Sequence, residues 1–325
     1  MKSCVLVIGS EGFIGGHLCK YLASSGYKLK GMDLLAANDT SIYDSYCQGN
    51  LLDLDSVITI VSEFKPNIII NLAARTDLVG STLNDYAVNF NGINNLIIAI
   101  KKAGFVQRCI FTSTQLVHEI SKASSESQDY SYDTLYGQSK ALGEMKIQEL
   151  NSGEVEWCIT RPTTIWGPRM SLHYQRLFKL IKKGLYFHIG RKPLLKSYGY
   201  VENTTHQYQM LMEAPANKIH RRIFYLADYE PMSLQGWLNG IQVAIGAPGI
   251  PTISFSCARL LAFMGDILQT LGIKNFPFNS FRLKNILTEY IFDLSKTKEI
   301  CGDIPYSCEY GIEKTSKWLI EDGIV

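Results

Sequence analysis

The sequence has 325 residues, 46% of them hydrophobic and 19% charged, which are the proportions of an ordinary globular protein with one or two domains. Its formal net charge of +2 gives no electrostatic reason to expect a nucleic-acid partner. No apolar run reaches the roughly 18 residues of a membrane span, and glycines follow the first apolar run too closely for a signal peptide. We therefore expect a cytoplasmic protein.

The first half of the chain alternates between short apolar strands and helical patterns. Strands are predicted at residues 3–9, 27–33, 67–73, 108–113 and 154–162. Helices are predicted between them at residues 13–25, about 54–64, 84–103 and 133–150. This alternation predicts an α/β fold with a Rossmann-like, doubly wound parallel sheet and right-handed crossovers.

The alternation ends near residue 165, and mixed helices, loops and short strands follow without any repeat. We expect one domain over residues 1–165 and a smaller mixed α/β domain over 166–325. A later segment, at about 195–230, is expected to return to the first domain. The eight cysteines include no Cys-x-x-Cys pair, so free thiols are expected rather than disulfides or a metal site.

A glycine-rich loop joins the first predicted strand to the first predicted helix. Gly9, Gly12 and Gly15 have the spacing G-x-x-G-x-x-G, and Phe13 and Ile14 open the helix. Glycine lets the backbone approach a pyrophosphate closely, and a helix N-terminus offers unpaired N–H groups. We therefore predict that these five residues bind a dinucleotide.

The second predicted strand ends in Asp33, which lies 18 residues after Gly15 (33 − 15 = 18). A carboxylate at this distance can bond both ribose hydroxyls and repels a 2′-phosphate. The next residues, 34–40, contain no Arg or Lys that would bind such a phosphate. These features favour NAD over NADP.

Tyr136 and Lys140 are four residues apart on a predicted helix, so their side chains share one face. Lowering the pKa of a phenol from near 10 to about 7 takes roughly 4 kcal/mol, which a neighbouring ammonium and a cationic nicotinamide could supply together. A surface tyrosine beside a solvated lysine is the alternative interpretation. Thr114 follows the strand at 108–113, where ligands of open α/β sheets bind. We predict Thr114, Tyr136 and Lys140 as the catalytic residues.

Together these motifs resemble those of the extended short-chain dehydrogenase/reductases, within the NAD-dependent nucleotide-sugar epimerase/dehydratase family. The segments similar to family motifs are "GSEGFIGGHL" (9–18), "GNLLD" (49–53), "NLAARTDLVGS" (71–81), "YGQSK" (136–140), "TRPTTIWGPR" (160–169), "SYGYVEN" (197–203) and "GIEKTSKWL" (311–319). The resemblance implies that residues 1–165 bind NAD and that residues 166–325 bind the substrate. It also implies a homodimer formed through helices 84–103 and 133–150, although the apolar stripe "NNLIIAI" (94–100) would equally suit a buried core helix.

The resemblance assigns further binding residues. Cofactor contacts are implied for Asn50, Leu51, Leu72, Ala73, Ala74, Asn89, Thr112, Tyr136, Lys140 and Pro162. Substrate contacts are implied for Arg75, Thr76, Thr114, Thr164 and Lys196. Lys196 is included because the diphosphate-binding arginine of the family lies near this place in the chain.

The chain also departs from the family. Dehydratases of the family place Asp and Glu directly after the catalytic Thr, whereas this chain has Gln115 and Leu116. Related decarboxylases also use a carboxylate there, so elimination and decarboxylation are disfavoured. His118 replaces a usual Tyr and is interpreted as a hydrogen-bonded structural residue, or else as a substrate contact or second proton carrier. Asn203 stands where sugar epimerases more usually have Asp, and steroid-oxidising relatives often carry Asn there.

The predicted function is epimerisation of a nucleoside-diphosphate sugar through a transient ketone, in the synthesis of surface polysaccharide precursors. Tyr136 would take the proton of a ring hydroxyl, at carbon 4, while hydride passes to NAD. One alternative is a nucleotide-sugar reductase or dehydrogenase with net hydride transfer. Others are a hydroxysteroid-type dehydrogenase and, least favoured, a non-catalytic NAD-binding scaffold. The apolar segment 257–273 would suit a lipophilic substrate, but a core or pocket-covering helix is the preferred interpretation.

Overall fold

The computed structural model describes residues 3–119, 129–150, 155–272 and 278–325, so Glu154 of a predicted strand and Ile273 of the apolar segment lie outside the described residues. The strands are β1 Cys4–Ile8, β2 Lys28–Asp33, β3 Ser45–Gln48, β4 Ile68–Asn71, β5 Arg108–Thr112, β6 Glu156–Pro162, β7 Thr164–Trp166, β8 His188–Ile189, β9 Leu195–Lys196, β10 Tyr198–Tyr200, β11 Arg222–Leu226, β12 Met232–Ser233 and β13 Thr252–Ile253. The helices are α1 Phe13–Ser24, α2 Leu54–Phe64, α3 Asn91–Ala103, α4 Leu135–Gln148, α5 Leu172–Lys182, α6 Val201–Glu213, α7 Ala216–Ile219, α8 Leu234–Ala244, α9 Phe255–Thr270, α10 Ser280–Leu287, α11 Ser295–Cys301 and α12 Cys308–Glu321. Short 3₁₀ helices lie at Thr40–Ile42, Leu83–Asn89 and Gln115–Val117.

Seven parallel strands form the main sheet, in the order β11-β6-β5-β4-β1-β2-β3. The order reverses at β1, whose Ile8 pairs with Met32 on one side and with Asn71 on the other. The predicted α/β class with a doubly wound parallel sheet is confirmed. The sequence did not predict β3 and β11, the two edge strands.

The chain divides into two compact units. Unit 1 comprises Met1–Ile165, Gly199–Tyr229 and Phe292–Pro305. Unit 2 comprises Trp166–Tyr198, Glu230–Ile291 and Tyr306–Val325. Both units are therefore assembled from separate stretches of chain.

In unit 1, the side chains of β1 alternate between two apolar cores, because successive residues of a strand point to opposite faces. Leu6 and Ile8 join the core beneath α2, α3 and α4. Val5 and Val7 join the core beneath α1 and α6. The sheet is thus buried on both faces, and the carboxyl ends of its strands meet along one edge.

The helix predicted at 84–103 is interrupted. A 3₁₀ helix at Leu83–Asn89 is followed by α3, and Phe90 between them has φ −131° and ψ −44°. The next helix, α4, begins after Thr134, whose hydroxyl accepts a hydrogen bond from the Gly137 N–H at 3.0 Å. Such N-caps satisfy one of the unpaired donors of the first turn. The cap fixes where the helix carrying Tyr136 starts.

Unit 2 is built from α5, α8, α9, α10, α12 and short strand pairs. Trp237 of α8 packs edge-on against Trp166, Phe178 and Tyr198, with ring centroids 5.3 to 5.7 Å apart. Gly240 of α8 lies against Ile312 of α12, where an added Cβ would come within 2.7 Å of the isoleucine Cδ1. Across the described ranges, no helix combines the length and the apolar character needed to cross a membrane.

Candidate active site

The loop between β1 and α1 is closely packed around its glycines. Gly9 has φ +84°, and a Cβ added to it would lie 2.6 Å from the backbone nitrogen of Ala73. A Cβ on Gly15 would lie 2.0 Å from the carbonyl oxygen of Gly9. Gly12 is the N-cap of α1 and provides no side-chain cap, so Phe13 and Ile14 begin a helix whose first N–H groups are uncapped by any side chain. This arrangement suits an anion such as a pyrophosphate.

Asp33 lies beside this loop at the end of β2. Its two carboxylate oxygens accept hydrogen bonds from the N–H groups of Glu11, at 2.9 Å, and Leu35, at 3.1 Å. Each oxygen keeps a further lone pair, so the carboxylate can also accept ribose hydroxyls. In the segment 49–53, the side-chain oxygen of Asn50 accepts a hydrogen bond from the Leu52 N–H at 2.9 Å. Leu51 of the same segment is buried in the core.

The turn after β4 contains Leu72, Ala73 and Ala74, all half-buried. Asn89 holds this turn in place, because its amide oxygen accepts from the Arg75 N–H and its amide nitrogen donates to the Arg75 carbonyl, both at 2.9 Å. The same nitrogen donates to Ser139 on α4 at 2.9 Å. Both amide donors of Asn89 are therefore used within the protein.

The two residues at the end of this turn differ in their surroundings. The Arg75 guanidinium forms an ion pair with Asp77 at 2.8 Å and donates to the Asp85 carbonyl at 3.0 Å. It also lies over the Tyr86 ring, 5.1 Å from the centroid. Thr76 is exposed. To bind a substrate phosphate, Arg75 would have to exchange Asp77 for it.

Thr114 and Tyr136 meet at the carboxyl end of β5. Both are buried, and the Thr114 hydroxyl lies close enough to the Tyr136 phenol to lower its pKa. Burial has the larger effect and raises the pKa of Tyr136 to about 12. The expected lowering of this pKa needs the cationic nicotinamide of bound NAD as well as Lys140.

Lys140 is buried one helical turn after Tyr136. Its ammonium donates to the Thr112 carbonyl at 2.6 Å. Burial lowers the pKa of Lys140 to about 8, and the negative charge of Glu144 opposes this effect. The Thr112 hydroxyl is hydrogen-bonded to the Tyr208 hydroxyl at 2.8 Å. This bond holds in place the residue whose backbone carbonyl accepts from Lys140.

Two glycines bring α4 against the neighbouring chain. A Cβ on Gly137 would lie 2.1 Å from the Leu116 carbonyl oxygen, and one on Gly143 would lie 2.4 Å from the Asn89 carbonyl oxygen. Contacts this short exclude any larger residue unless the backbone moves. The helix with Tyr136 and Lys140 therefore has a closely defined position beside the turn that follows β5.

A buried ionic network, which the sequence did not predict, includes Glu144, one helical turn after the predicted catalytic residue Lys140. Arg161 of β6 donates to the Glu144 carboxylate at 2.9 and 2.7 Å, and both side chains are fully buried. Arg161 also donates to the Tyr225 hydroxyl at 3.1 Å, and Tyr130 donates to Glu144 at 3.1 Å. A signal was present in the sequence, because an arginine inside an apolar strand needs a buried anion.

His118 belongs to this network. Its Nε2 lies 3.0 Å from the Arg161 guanidinium. Because arginine is only a donor, Nε2 accepts and the imidazole is neutral in this contact. Burial, followed by the charge of Arg161, lowers the pKa of His118 below its ordinary value. These contacts favour the structural interpretation of His118 over a second proton carrier.

Two predicted residues lie farther along in unit 1. Pro162 ends β6 opposite Leu226, and Thr164 is half-buried in β7.

The Asn203 amide donates to the buried Asp228 carboxylate at 2.9 Å. An aspartate at position 203 would place a second carboxylate beside the buried Asp228 and would lose the amide donor. The charge of Asp228 therefore explains why asparagine occupies this position.

Lys196, the predicted diphosphate ligand, is buried within unit 2. Its ammonium donates to the Asn285 carbonyl at 2.8 Å and lies over the Tyr290 ring, 4.4 Å from the centroid. Burial lowers the pKa of Lys196 to about 8, and Glu289 opposes the effect. Its contacts in unit 2 thus already satisfy part of its hydrogen-bonding capacity.

Three buried polar atoms near the ends of β4 and β5 have no hydrogen-bond partner among the described residues. They are Asn71 Nδ2, Ser113 Oγ and Gln115 Oε1. Unsatisfied buried groups are uncommon in folded proteins and call for a specific explanation. Together with the uncapped start of α1 and the accepting Asp33, they fit a polar ligand such as a dinucleotide along this edge of the sheet.

Known proteins resemble the chain over almost its full length. It is 25% identical to N-acetyl-alpha-D-glucosaminyl-diphospho-ditrans,octacis-undecaprenol 4-epimerase of Escherichia coli O157:H7, covering 98% of this chain and 96% of the relative. It is 23% identical to 2-alkyl-3-oxoalkanoate reductase of Stenotrophomonas maltophilia, covering 95% and 97% of the two chains. The crystal structure of UDP-glucose 4-epimerase from Thermotoga maritima with UDP-glucose superposes with a TM-score of 0.76 at 19% identity, covering 98% of this chain and 99% of that one.

The sequence pattern of the NAD dependent epimerase/dehydratase family matches residues 5–227, more than half of the chain. The predictions of an extended short-chain dehydrogenase/reductase enzyme and of NAD as its cofactor are confirmed. With a doubly wound sheet, a glycine-rich first turn and a Thr–Tyr–Lys set at the strand ends, the chain belongs to the NAD dependent epimerase/dehydratase family.

Proposed function

We propose that the protein is an epimerase that inverts one hydroxyl of a diphosphate-linked sugar through a transient ketone, with a nucleoside-diphosphate sugar as the preferred substrate. The observation that carries this proposal is that the buried Thr114 hydroxyl lies beside the buried Tyr136 phenol, whose pKa it lowers, at the end of β5. This pair provides one acid/base group and one hydroxyl to orient the substrate, which is what oxidation and reduction of an alcohol need.

The residues next to Thr114 support the same reaction. Gln115 and Leu116 form a 3₁₀ turn that Thr114 caps by accepting the Leu116 N–H at 3.3 Å. Neither side chain can exchange a proton at neutral pH, so loss of water from the sugar has no acid here. Epimerisation through a ketone requires no such group.

In the proposed mechanism, Thr114 orients the sugar hydroxyl and Tyr136 removes its proton, then returns a proton after the ketone has turned over. Bound NAD supplies the hydride acceptor and, for the second half-reaction, the hydride donor. Because burial holds the pKa of Tyr136 at about 12 in the protein alone, the phenol needs a nearby positive charge to act at neutral pH. Lys140, released from the Thr112 carbonyl, is the side chain closest in sequence that can supply one.

We propose that Gly9, Gly12, Phe13, Ile14 and Gly15 hold the pyrophosphate. Asp33 would bind the ribose hydroxyls, and Asn50 and Leu51 would flank the adenine. The remaining proposed cofactor contacts come from Leu72, Ala73, Ala74, Asn89, Thr112, Tyr136, Lys140 and Pro162. Proposed substrate contacts come from Arg75, Thr76, Thr114, Thr164 and Lys196.

We further propose that unit 1 binds NAD and unit 2 recognises the substrate. Helices α3 and α4 expose Ile98 and Met145, and a homodimer through these helices would cover them. A cytoplasmic location is consistent with the eight free cysteines. Similarity to an epimerase named for a lipid-linked sugar supports a role for this protein in making precursors of surface polysaccharide.

The decisive experiment is to incubate the purified protein with UDP-glucose, UDP-N-acetylglucosamine or the undecaprenyl-diphosphate sugar. We expect conversion of one substrate to its carbon-4 epimer without net formation of NADH. In deuterium oxide, the product should carry no deuterium at carbon 4, since the hydride returns to the carbon it left. Stoichiometric formation or consumption of NADH would refute an epimerase.

A second candidate is a reductase of a lipophilic ketone with net hydride transfer. The observation that favours it is the similarity to 2-alkyl-3-oxoalkanoate reductase over 95% of this chain. The same Thr114 and Tyr136 would protonate the ketone oxygen. Steady NADH consumption with a 2-alkyl-3-oxoalkanoate, and no epimerisation of any sugar tested, would establish this candidate instead.

A further inference from the structure

Helix α9 of unit 2 has an unusual distribution of residue sizes. Its buried positions are the small residues Ala258, Ala262 and Gly265. Its large apolar residues face outward instead, so only the small side of α9 packs in the core, as the core or pocket-covering helix expected for this segment would. The residues on the outward face are Leu260, Phe263, Met264 and Ile267, with Leu271 at the C-cap, and their exposures run from 43% to 72%. Phe255, at the start of the helix, is also exposed but lies on another side.

The five residues on the outward face form one stripe. With 3.6 residues per turn, their positions fall within an arc roughly 100° wide, opposite the buried small residues. Phe281 of α10 adds a sixth exposed apolar side chain, at 60% exposure. We call these six residues the α9 stripe. A groove of about 470 Å³ runs beside it, lined by Ser256, Arg259, Leu260, Phe263, Ser280 and Leu283.

The charges around the stripe are mainly positive. The described residues of α9 and α10 carry the cations Arg259, Arg282 and Lys284, and the single anion Asp266. The Asp266 carboxylate accepts from the N–H and hydroxyl of Ser280. Within the described ranges, no ion pair engages the three cations, and the Arg259 guanidinium lies over the Phe255 ring, 5.8 Å from its centroid.

A second copy of the chain suits this surface poorly. A two-fold symmetric contact places the same patch of both copies together, so it would gather the three cations of each copy with only the two Asp266 carboxylates, which are already bonded to Ser280. Packing into the core of unit 2 is also excluded, because small residues already occupy the buried side of α9. Apolar residues on one helix face with cations beside them instead match a helix that lies in the interface of an anionic bilayer.

We propose that the α9 stripe docks this protein on the surface of a membrane that contains anionic phospholipid. The six apolar side chains enter the boundary between head groups and acyl chains, and Arg259, Arg282 and Lys284 pair with lipid phosphates. This binding does not depend on the proposed epimerase reaction. It would bring the enzyme to a surface where lipid-linked sugars are found.

The test is flotation of the full-length protein with vesicles of phosphatidylcholine containing about a quarter phosphatidylglycerol. We expect the unaltered protein to float with these vesicles, and the double variant Leu260→Asp with Phe263→Asp to bind about tenfold or more weakly. The matched control is Leu185→Asp with Val243→Asp, which changes two other exposed apolar residues of unit 2 and should bind normally. Replacing all three cations by Gln should remove the preference for anionic vesicles and its salt dependence.

Folding is checked for each variant by its thermal unfolding curve. If the aspartate pair fails to fold, the pair Leu260→Gln with Phe263→Gln replaces it. Failure of the unaltered protein to float, or equal loss in the control pair, would overturn the proposal. The proposal would also be overturned if the unaltered protein does not bind vesicles and the Leu260 and Phe263 variants change its oligomeric state. That result would assign the α9 stripe to a contact with a second copy of the chain.

Discussion

Arg161 on β6 and Glu144 on α4 form a buried ion pair in which two guanidinium nitrogens donate to the two carboxylate oxygens, at 2.9 and 2.7 Å. Glu144 lies one helical turn after Lys140, so the pair connects the central sheet to the helix that carries Tyr136 and Lys140. His118 accepts from the same guanidinium. The turn that contains Thr114 and the helix that contains Tyr136 therefore share one polar anchor.

We predict that Glu144→Gln destabilises the protein by about 3–5 kcal/mol, because it leaves the Arg161 charge buried without its anion. The free energy of unfolding in urea measures the effect. Replacing both Glu144 and Arg161 by Met should recover much of the loss, since no charge then remains buried. Equal destabilisation by the double variant would contradict this explanation.

His118→Asn retains a neutral acceptor beside Arg161, and we predict that it keeps most of the activity. His118→Leu removes the acceptor and should lower stability by about 1–3 kcal/mol. The activity remaining at saturating substrate should have an unchanged pH profile in both variants. A loss of the acid or base limb in His118→Asn would instead identify the imidazole as a proton carrier.

Tyr136→Phe is predicted to lower kcat by about 10²- to 10⁴-fold, the usual contribution of a positioned acid/base group. The bound NAD content should be unchanged when it is measured from the denatured protein. Tyr132→Phe, at an exposed tyrosine four residues earlier, is the matched control and should be fully active. Full activity of Tyr136→Phe would show that the phenol is not the acid/base group of the reaction.

Thr114→Val removes the hydroxyl that lowers the pKa of Tyr136, so the base limb of the pH–rate profile should move to higher pH. The rate at neutral pH should fall about tenfold, which corresponds to roughly 1.4 kcal/mol. Thr114→Ser keeps the hydroxyl and the cap of the Leu116 N–H, and should restore both the rate and the profile. An unshifted profile in Thr114→Val would show that the contact has no role in the reaction.

Asp228 makes stability depend on pH. Burial raises its pKa from 3.8 to about 7 in the folded protein, although Asn203 and the Tyr200 N–H oppose the shift. The folded state therefore binds the proton more tightly, and stability falls as the pH rises from about 4 to about 7. Relative to Asp228→Asn, which cannot titrate, the unaltered protein should lose roughly 4 kcal/mol over that window at 1.36 kcal/mol per pKa unit. Parallel urea titrations at pH 4.5 and 7.5 measure the difference.

Local patterns in the sequence predicted the centre of the sheet well. Apolar strands such as 67–73 and helices such as 54–64 have clear periodicity, and the structure contains β4 and α2 at these places. The edge strand β3 was missed because Ser45–Gln48 has no run of β-branched residues. The interruption at Phe90 was missed because apolar periodicity does not record the hydrogen bonds that Asn89 makes to Arg75.

The candidate site was predictable where chemistry follows local spacing. The order of Thr114, Tyr136 and Lys140 along the chain suggested their proximity, and the Thr114 hydroxyl lies close enough to Tyr136 to lower its pKa. Pairs distant in sequence could not be predicted in this way, and Glu144 with Arg161 is the main example. The desolvation that raises the pKa of Tyr136 could not be predicted from the sequence, because it depends on burial that only the folded structure defines.

The segmented construction of unit 1 has a consequence for how the protein is made. Strand β11 covers the edge of β6, and α11 is fastened to β11 by a hydrogen bond from the Thr297 hydroxyl to the Tyr225 carbonyl. On the ribosome, β6 can pair with β5 at once, but it is synthesised some sixty residues before β11, its partner on the other side. Until β11 emerges, that side of β6 is an open sheet edge that another chain could join. A nascent chain that stalls between β6 and β11 should therefore aggregate more readily than one that has completed β11.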